Sequence, residues 1–589
     1  MRSARTWLCT ALAALAVALV APAHAADPAK VLRIASVDIE TLDPHQYNDD
    51  PSFQVVSQIF EAAYEYDYLA SPPRLVPLTA AGAPEVTDGG RTWTVRLKQG
   101  IYFTDDPAFK GTPRELVAQD YIYAYKRWLD PNGKRGGSVL ADLIVGARSA
   151  VDAAKASGRF DFDAPIEGLR VVDRYTYRVR MSAPNYPNIK DLLGFVTAVP
   201  REVVEANGND IRAHPVGTGA YRLREWVRGS RVVLEANPAY RSISFPPSSS
   251  PAHATLERTM QGKRLPRIGV IEIAIIEEEL TRLLKFEQGG LDVVELRGEV
   301  AGRLMKDGKL GPEYAARGIT RHAYAEPFLF SLYFHMPDPV LGGVSKEHIA
   351  LRRALAMAVD LDTLVRVVYA GQAMAANQMV PPGVGGHDAA LTWKPVYDPA
   401  GARALLDRFG YRRGADGYRT TPEGKPLAIM LSLRTGAVSR EIQTLWKRGM
   451  DAIDIRTEFR LAPFQDIIKE VVQGQYQAYF GGFGGSPWGS AELQQLYTKQ
   501  SPRLNVTRFS LPEYDREIER FIATDDDAER VKAARAMNDI VRNYVPLIPI
   551  IFRVQSDYVQ PWVQGYAPPL FMRYWKYLDL DLARRGKAN

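Results

Sequence analysis

Gly484-Gly485-Ser486-Pro487-Trp488 is the nearest string in this chain to a nucleophile elbow. It lacks the final glycine and sets a proline where the helix behind a catalytic serine must begin. A zinc-protease helix needs His-Glu-x-x-His, which puts two imidazoles on one face, and no such string occurs. Gly217-Thr218-Gly219 opens a dinucleotide-like pattern, but Arg222 stands where the third glycine is needed, and no Walker string is present. Asp105-Asp106 and Asp525-Asp526-Asp527 are adjacent acids in loops and read as solvated charge rather than an acid–base pair. His335-Met336 is the one local pair suited to a metal. Imidazole and thioether favour copper or haem iron, but neighbours on a strand point to opposite faces. These observations point away from an enzyme and give no expectation of a metal or cofactor.

The N-terminus sets the compartment. Arg2 and Arg5 precede an apolar run from Trp7 to Val20, and Ala23-His24-Ala25 offers the small-x-small pattern of signal cleavage. The run is short for a membrane span, which takes about 20 residues, and Asp27 follows at once. A signal peptide over residues 1–25 and a soluble periplasmic protein are therefore expected. The single cysteine, Cys9, falls inside that signal and ahead of most of the apolar run, which is the wrong place for a lipid anchor. Without it there are no disulfides, cysteine–zinc sites or thiol catalysis. The net charge is +6, two of it from Arg2 and Arg5, too little over this length to point to nucleic acid. A chain of 589 residues is too long for one core, so two or three domains are expected.

The elements follow from patterning. Residues 31–36 alternate as a first strand, and 51–66 read as a helix. Trp93, Val95 and Leu97 share one face of a strand, followed by a helix over 120–129. His214–Arg241 (HPVGTGAYRLREWVRGSRVVLEANPAYR) reads as a glycine turn and a hairpin turning at Gly229. Residues 242–269, with Pro246-Pro247 and three serines, read as a surface loop. Strands follow at 270–276 and 291–296 around a helix ended by Gly289-Gly290. Residues 351–371 carry an apolar stripe over two helices, with Asp360 as a cap. A helix from Asn538 runs into a proline-punctuated strand up to Phe552.

These segments resemble, in order, the motifs of the bacterial extracellular solute-binding proteins of family 5, the peptide/nickel type. PVGTGAY…W…G…NPAY matches the hairpin signature, EEELTRLLKFEQGGLDVVEL the pattern A…L.SGEIDI, and LRRALAMAVDLDTLVRVVYAG the pattern VRQALAYAIDR. The family pattern passes more directly from the hairpin to the next strand than residues 242–269 do.

The resemblance implies an α/β fold of periplasmic binding protein type 2, two lobes with a hinge plus an additional domain. Lobe I would comprise 26–68, 195–300 and 546–589, domain II 69–194, and lobe III 301–545. It also implies a monomeric receptor that takes a peptide or small molecule between its lobes and passes it to the permease of an ABC importer. Two segments are expected to line the cleft. In residues 327–336, Tyr333 and His335 share a face. In 476–488, Phe483 and Trp488 suit an apolar or ring-containing solute. Arg434 suits an anionic group. Peptide-binding relatives carry an aspartate in the second segment that pairs with the ligand's ammonium terminus. Here no acid lies between Gly474 and Ala491, so that capture is not expected. A non-peptide solute (oligosaccharide, opine, chelated metal or haem) stays open, and an exported hydrolase is the rival outside the class.

Overall fold

Strand β1 (Asp27–Ser36) opens the computed structural model, which describes residues 26–586 apart from 135–137, 242, 249–250, 307, 393–395, 501, 569 and 572–573. The export signal expected over 1–25 lies outside the described residues. Helix α1 (Asp50–Ile59) is capped by Asp49, which accepts from the Ser52 N–H, with Pro51 in its first turn. It stops short of residue 66. The Ile59 carbonyl accepts from Gly219 N–H at 2.8 Å, and Tyr64–Tyr66 are a short strand.

The next elements are β2 (Glu85–Thr87), β3 (Thr92–Arg96), α2 (Ala118–Leu129), β4 (Leu169–Asp173) and β5 (Thr176–Arg180). The strands make an antiparallel sheet in the order β2-β3-β5-β4, with its own core around Trp93, Tyr121 and Tyr177. This second lobe docks on the first through a buried bidentate pair. Arg127 on α2 donates to both Asp43 oxygens, at 3.0 and 2.8 Å, and to His45 Nδ1 at 2.9 Å. Burial alone would push the Asp43 carboxyl up, but the guanidinium holds it below its ordinary value. Helix α3 (Tyr186–Phe195), capped by Asn185, closes this lobe.

The hairpin forms as expected, from β6 (Tyr221–Val227) and β7 (Arg231–Ala236), with Gly229 at φ +65° in its turn. Its signature residues lock onto the end of α1. A Cβ on Gly217 would lie 2.0 Å from the Ile59 carbonyl oxygen, and one on Gly219 2.4 Å from that of Gln58. Arg241 grips the buried Glu61 carboxylate at 2.7 and 2.9 Å, and Thr218 Oγ1 donates to it at 2.9 Å.

Residues 242–269 do not form the expected surface loop. Ile243–Ser244 pair with Arg264–Leu265, helix α4 (Ala254–Met260) lies between them, and Phe245, Met260 and Leu265 are buried in the first lobe's core. Only those apolar residues decide this, because proline and serine content is silent about what a segment covers. Strand β8 (Ile268–Ile275) completes the sheet β1-β8-β7-β6, with β1 and β8 parallel.

The remainder of the chain adds β9 (Val293–Leu296), β10 (Thr320–Phe334), α5 (Lys346–Met357), β11 (Ala428–Arg434), β12 (Arg456–Ala462), β13 (Ala478–Gly484), α6 (Asp527–Tyr544) and β14 (Leu547–Val559), in a sheet that reaches from the first lobe into the third. Sheet order is β9-β14-β10-β13-β11-β12, with Ala373–Ala375 also on β14. Asp360 caps its short helix as expected, accepting from Thr363 N–H. Part of the segment 476–488 is strand rather than loop, because Ala478–Gly484 pair with β10. Strands β10 and β14 cross between lobes. Thr320 pairs with Val559 beside β9, and Tyr333 pairs with Leu547 deep in the third lobe. The register shifts between Ala325 and Leu329, a bulge at the crossing point.

Arg352 on α5 is wholly buried, and among the described residues its partners are backbone carbonyls. It donates to Tyr544 and Val545 at the end of α6 and to Leu341, Gly342 and Gly343. Burial pushes its pKa down to about 10, while the carbonyl end of a helix favours a cation. Arg352→Met should orphan these acceptors, each costing about 1–3 kcal/mol. A markedly lower midpoint of urea unfolding is expected, and an unchanged midpoint would refute the role.

Candidate functional site

Strand directions locate the cleft. Strands β13 and β14 both run antiparallel to β10, so β11, β12 and β13 point the same way as β14, toward the first lobe. Strand β9 runs against β14 and so points toward the third lobe. Glu279, just past β8, acts electrostatically on Arg297, just past β9, so the two strands end side by side and β8, and with it β1, runs the same way. The carboxyl ends of β1 and β8 therefore face those of β11, β12 and β13 across the crossing strands. Ligands of open α/β sheets bind at such ends.

On the third-lobe side stand Arg434 at the end of β11, Leu461 (39% exposed) near the end of β12, Phe464 (51% exposed) just after it, and half-buried Phe328, Phe330 and Phe480. The phenyl centroids lie 5.4 and 6.0 Å apart in sequence. Arg553 lies over Phe330 at 4.8 Å. At the bulge, Glu326 accepts from Arg553 at 2.6 Å and faces Arg297 at 2.9 Å, one carboxylate between two arginines. On the first-lobe side Asp38, Glu277 and Glu278 are exposed, with Asp38 N–H donating to Glu277 at 2.8 Å. The lips differ in character: acidic on the first lobe, aromatic and basic on the third.

The sequence-derived residues divide. Arg434 is exposed on the lip and makes no ion pair among the described residues. Its charge opposes the burial that pushes the Tyr479 hydroxyl up to about 12. Phe483 is half-buried near the same lip, edge-on to Tyr333 at 5.4 Å. Tyr333 itself is fully buried and donates to Gln495 Oε1 at 2.8 Å, which makes it core rather than cleft wall. His335 lies past the far end of β10, where its N–H bonds Gln477 O at 3.0 Å, against Phe328 paired with Gly484 at the lip. At about 3.3 Å per residue it stands on the order of 20 Å from the cleft edge, packed on Tyr476. Sharing a face with Tyr333 is correct, but a face has two ends and alternation cannot say which one meets the cleft.

Trp488 is 3% exposed and spans three lobes. Carried by the third lobe, it packs on Tyr66 of the first at 5.9 Å, with Lys190 of the second 4.5 Å from its ring and Arg530 at 5.2 Å. Lys190 pairs with Asp525 across the same seam. Gly489 makes the turn possible, at φ +71° and with the Gly385 carbonyl 2.5 Å from where a Cβ would be.

Two acids that sequence reasoning missed serve this loop. Tyr66 OH donates to Asp191 at 2.8 Å, and Ser486 Oγ approaches Asp191 at 3.4 Å. Glu492, fully buried one residue beyond the acid-free stretch, accepts from Gly485 N–H at 3.3 Å. Burial pushes Asp191 up to about 7 and Glu492 up to about 8. Two cavities flank the Asp67–Pro73 loop: one of about 660 Å³ beside Trp488, and one of about 360 Å³ beside Tyr324 and Pro382. Among the described residues no cluster of acids, histidines or cysteines could hold a metal, and no helix is long and apolar enough to cross a membrane.

Residues 74–503 match the family described as bacterial extracellular solute-binding proteins, family 5 Middle. The chain is 22% identical over 587 residues to the periplasmic oligopeptide-binding protein OppA of Salmonella typhimurium, covering 95% of this chain and 94% of that one. It is 24% identical over 556 residues to the glutathione-binding protein GsiB of Salmonella paratyphi A, covering 92% of each. Its fold matches that of the periplasmic murein tripeptide binding protein MppA in an unliganded open form, with a TM-score of 0.71, 19% identity, and 94% and 97% of the two chains covered.

Trp488→Ala should lower the melting temperature as well as weaken ligand binding, since removing a buried tryptophan costs about 3–5 kcal/mol. A melting temperature equal to wild type would show that the indole is not a seam between lobes. The raised acids set a pH dependence. Between their unfolded values near 4 and their folded ones, the native state holds protons that the unfolded chain releases. Their contribution is therefore full at low pH and is lost as pH rises through about 7 to 8. Asp191→Asn should flatten the fall in melting temperature between pH 5 and 8.5, and an unchanged slope would count against it.

Proposed function

We infer the function of this chain from its family: it belongs to the bacterial extracellular solute-binding proteins, family 5. It is the periplasmic substrate-binding component of an ABC importer. It takes an oligopeptide or peptide-like solute between its lobes and hands it, chemically unchanged, to the permease. The observation that carries this reading is the cleft between opposed strand ends, spanned by two crossing strands with a bulge at the crossing. Such a joint lets lobes close around a solute, and closure supplies contacts that neither lobe makes alone.

A solute with charged ends fits the lips. Arg434 takes an anionic group, the Phe328–Phe330 shelf an apolar one, and Phe483 and Trp488 close over it. Glu492 and Asp191, raised by burial to about 8 and 7, brace this loop through hydrogen bonds to Gly485 and Tyr66 and do not offer the solute a full negative charge. The names of the relatives, an oligopeptide-binding and a glutathione-binding protein, support the peptide class.

A mixture of synthetic di- to pentapeptides should raise the melting temperature, because selective binding stabilises the folded state. The peptides should be recovered intact by mass spectrometry. Arg434→Gln should weaken peptides with a free C-terminal carboxylate about tenfold, near 1.4 kcal/mol, and leave their amides unchanged. Cleaved peptides would point to a hydrolase, and stabilisation by sugars or chelates alone to a non-peptide solute.

A further inference from the structure

Strands β7 and β8 are antiparallel neighbours, Val232 opposite Ile273, and a hairpin of a few residues would join them. The chain instead leaves Ala236 and returns only at Ile268, and the excursion is built into the first lobe. Phe245 packs edge-on against Tyr68 and Tyr577, each at 6.1 Å. Lys263 donates to Gln564 and to Asp579 at 2.9 Å each. So anchored, the segment carries Pro247 and Ser248 to the wall of the larger interlobe cavity and His253 to the wall of the smaller one. That chamber, about 360 Å³, is bounded by Tyr66 and Tyr68 of the first lobe, Tyr324 of the crossing strand, and Pro382 of the third lobe. His253 is its one histidine.

We propose that His253 is a specificity-determining ligand contact, delivered into the interlobe chamber by the excursion between β7 and β8. The ligand group it recognises is a hydrogen-bond acceptor, a carbonyl or carboxylate oxygen, on an apolar or aromatic portion of the solute. Ser248 Oγ lies 2.9 Å from His253 Nδ1, and Glu257 accepts from the Ser248 N–H, which fixes the serine. In the tautomer whose Nδ1 accepts from the Ser248 hydroxyl, the ring proton sits on Nε2. Nε2 makes no hydrogen bond among the described residues and is left to donate to the ligand. The tyrosine walls supply flat apolar surface, and pockets of this kind gain specificity from a few placed polar groups. The proposal rests on the receptor reading above and adds to it which segment selects the solute.

The test compares the full-length wild type with His253→Ala, His253→Gln and Ser248→Ala. Each is incubated with an equimolar library of synthetic tripeptides and, separately, with the small-molecule fraction of a bacterial lysate. Retained solutes are profiled by mass spectrometry, and affinity for the most strongly retained solute is measured by calorimetry. Expected is at least a fivefold loss and a reordered profile for His253→Ala, with partial recovery in His253→Gln, which keeps an N–H donor. Ser248→Ala, which frees the tautomer, should fall between. Should His253→Ala fail to fold, His253→Gln decides on its own by a reordered or unchanged profile. Profiles and affinities within twofold of wild type overturn the proposal, as does a wild type that retains nothing from either pool. Retention from the lysate alone counts against peptides as the solute, and His253 is then judged on that pool.

Discussion

Two strands hold the lobes in register, and the site's geometry depends on that pairing. From Thr320–Val559 to Tyr333–Leu547, β10 and β14 pair antiparallel over the gap between the first and third lobes, apart from the stretch between Ala325 and Leu329. A ladder is stiff in its plane and yields where it is interrupted. Here the register shifts between Ala325 and Leu329, next to the cleft, and again between Phe330 and Ser331. Glu326 sits in the bulge between Arg297 and Arg553, so the joint is also where charge is concentrated. The same pairing aims β11, β12 and β13 at the first lobe, which is why Arg434 and Phe483 reach the cleft while His335, on a strand of opposite sense, ends at the far edge.

The signature hairpin is explained by packing rather than by ligand chemistry. Gly217 and Gly219 lie where any side chain would strike the carbonyls of Ile59 and Gln58, and Thr218, Tyr240 and Arg241 converge on the Glu61 carboxylate. A buried carboxylate without partners would be costly, so the residues that satisfy it are constrained together. The motif identifies the family because it fixes how α1 meets the first lobe's sheet. Its residues are absent from the walls of both interlobe cavities, apart from the framework it builds.

The interlobe cavities are walled by parts with no motif. The seam at Trp488 draws Tyr66 and Lys190 from the first two lobes against Arg530 of the third. The acids that serve the seam come from α3 and from just past the loop. Residues 243–265 are compositionally a loop, yet they reach both cavities. Each depends on segments that meet only after folding, in surroundings where burial shifts the acids toward neutrality.

Local pattern alone determined the strands and helices that carry period-two or helical spacing, the glycine hairpin, the Asp360 cap and the family. Those features are written in contacts between near neighbours or in one segment's fit to its own backbone. It also singled out Arg434, Phe483 and Trp488; the fold sets the first two by the third-lobe lip and buries Trp488 in the seam between lobes. Tertiary structure decided the rest. It placed Tyr333 in the core and His335 at the wrong end of its strand, since alternation gives a face but not a direction. It brought Asp191 and Glu492 to a loop that has no acid of its own. It turned a proline- and serine-rich stretch into a cavity wall, since what a segment covers depends on which distant residues, here Tyr68 and Tyr577, are there to receive Phe245.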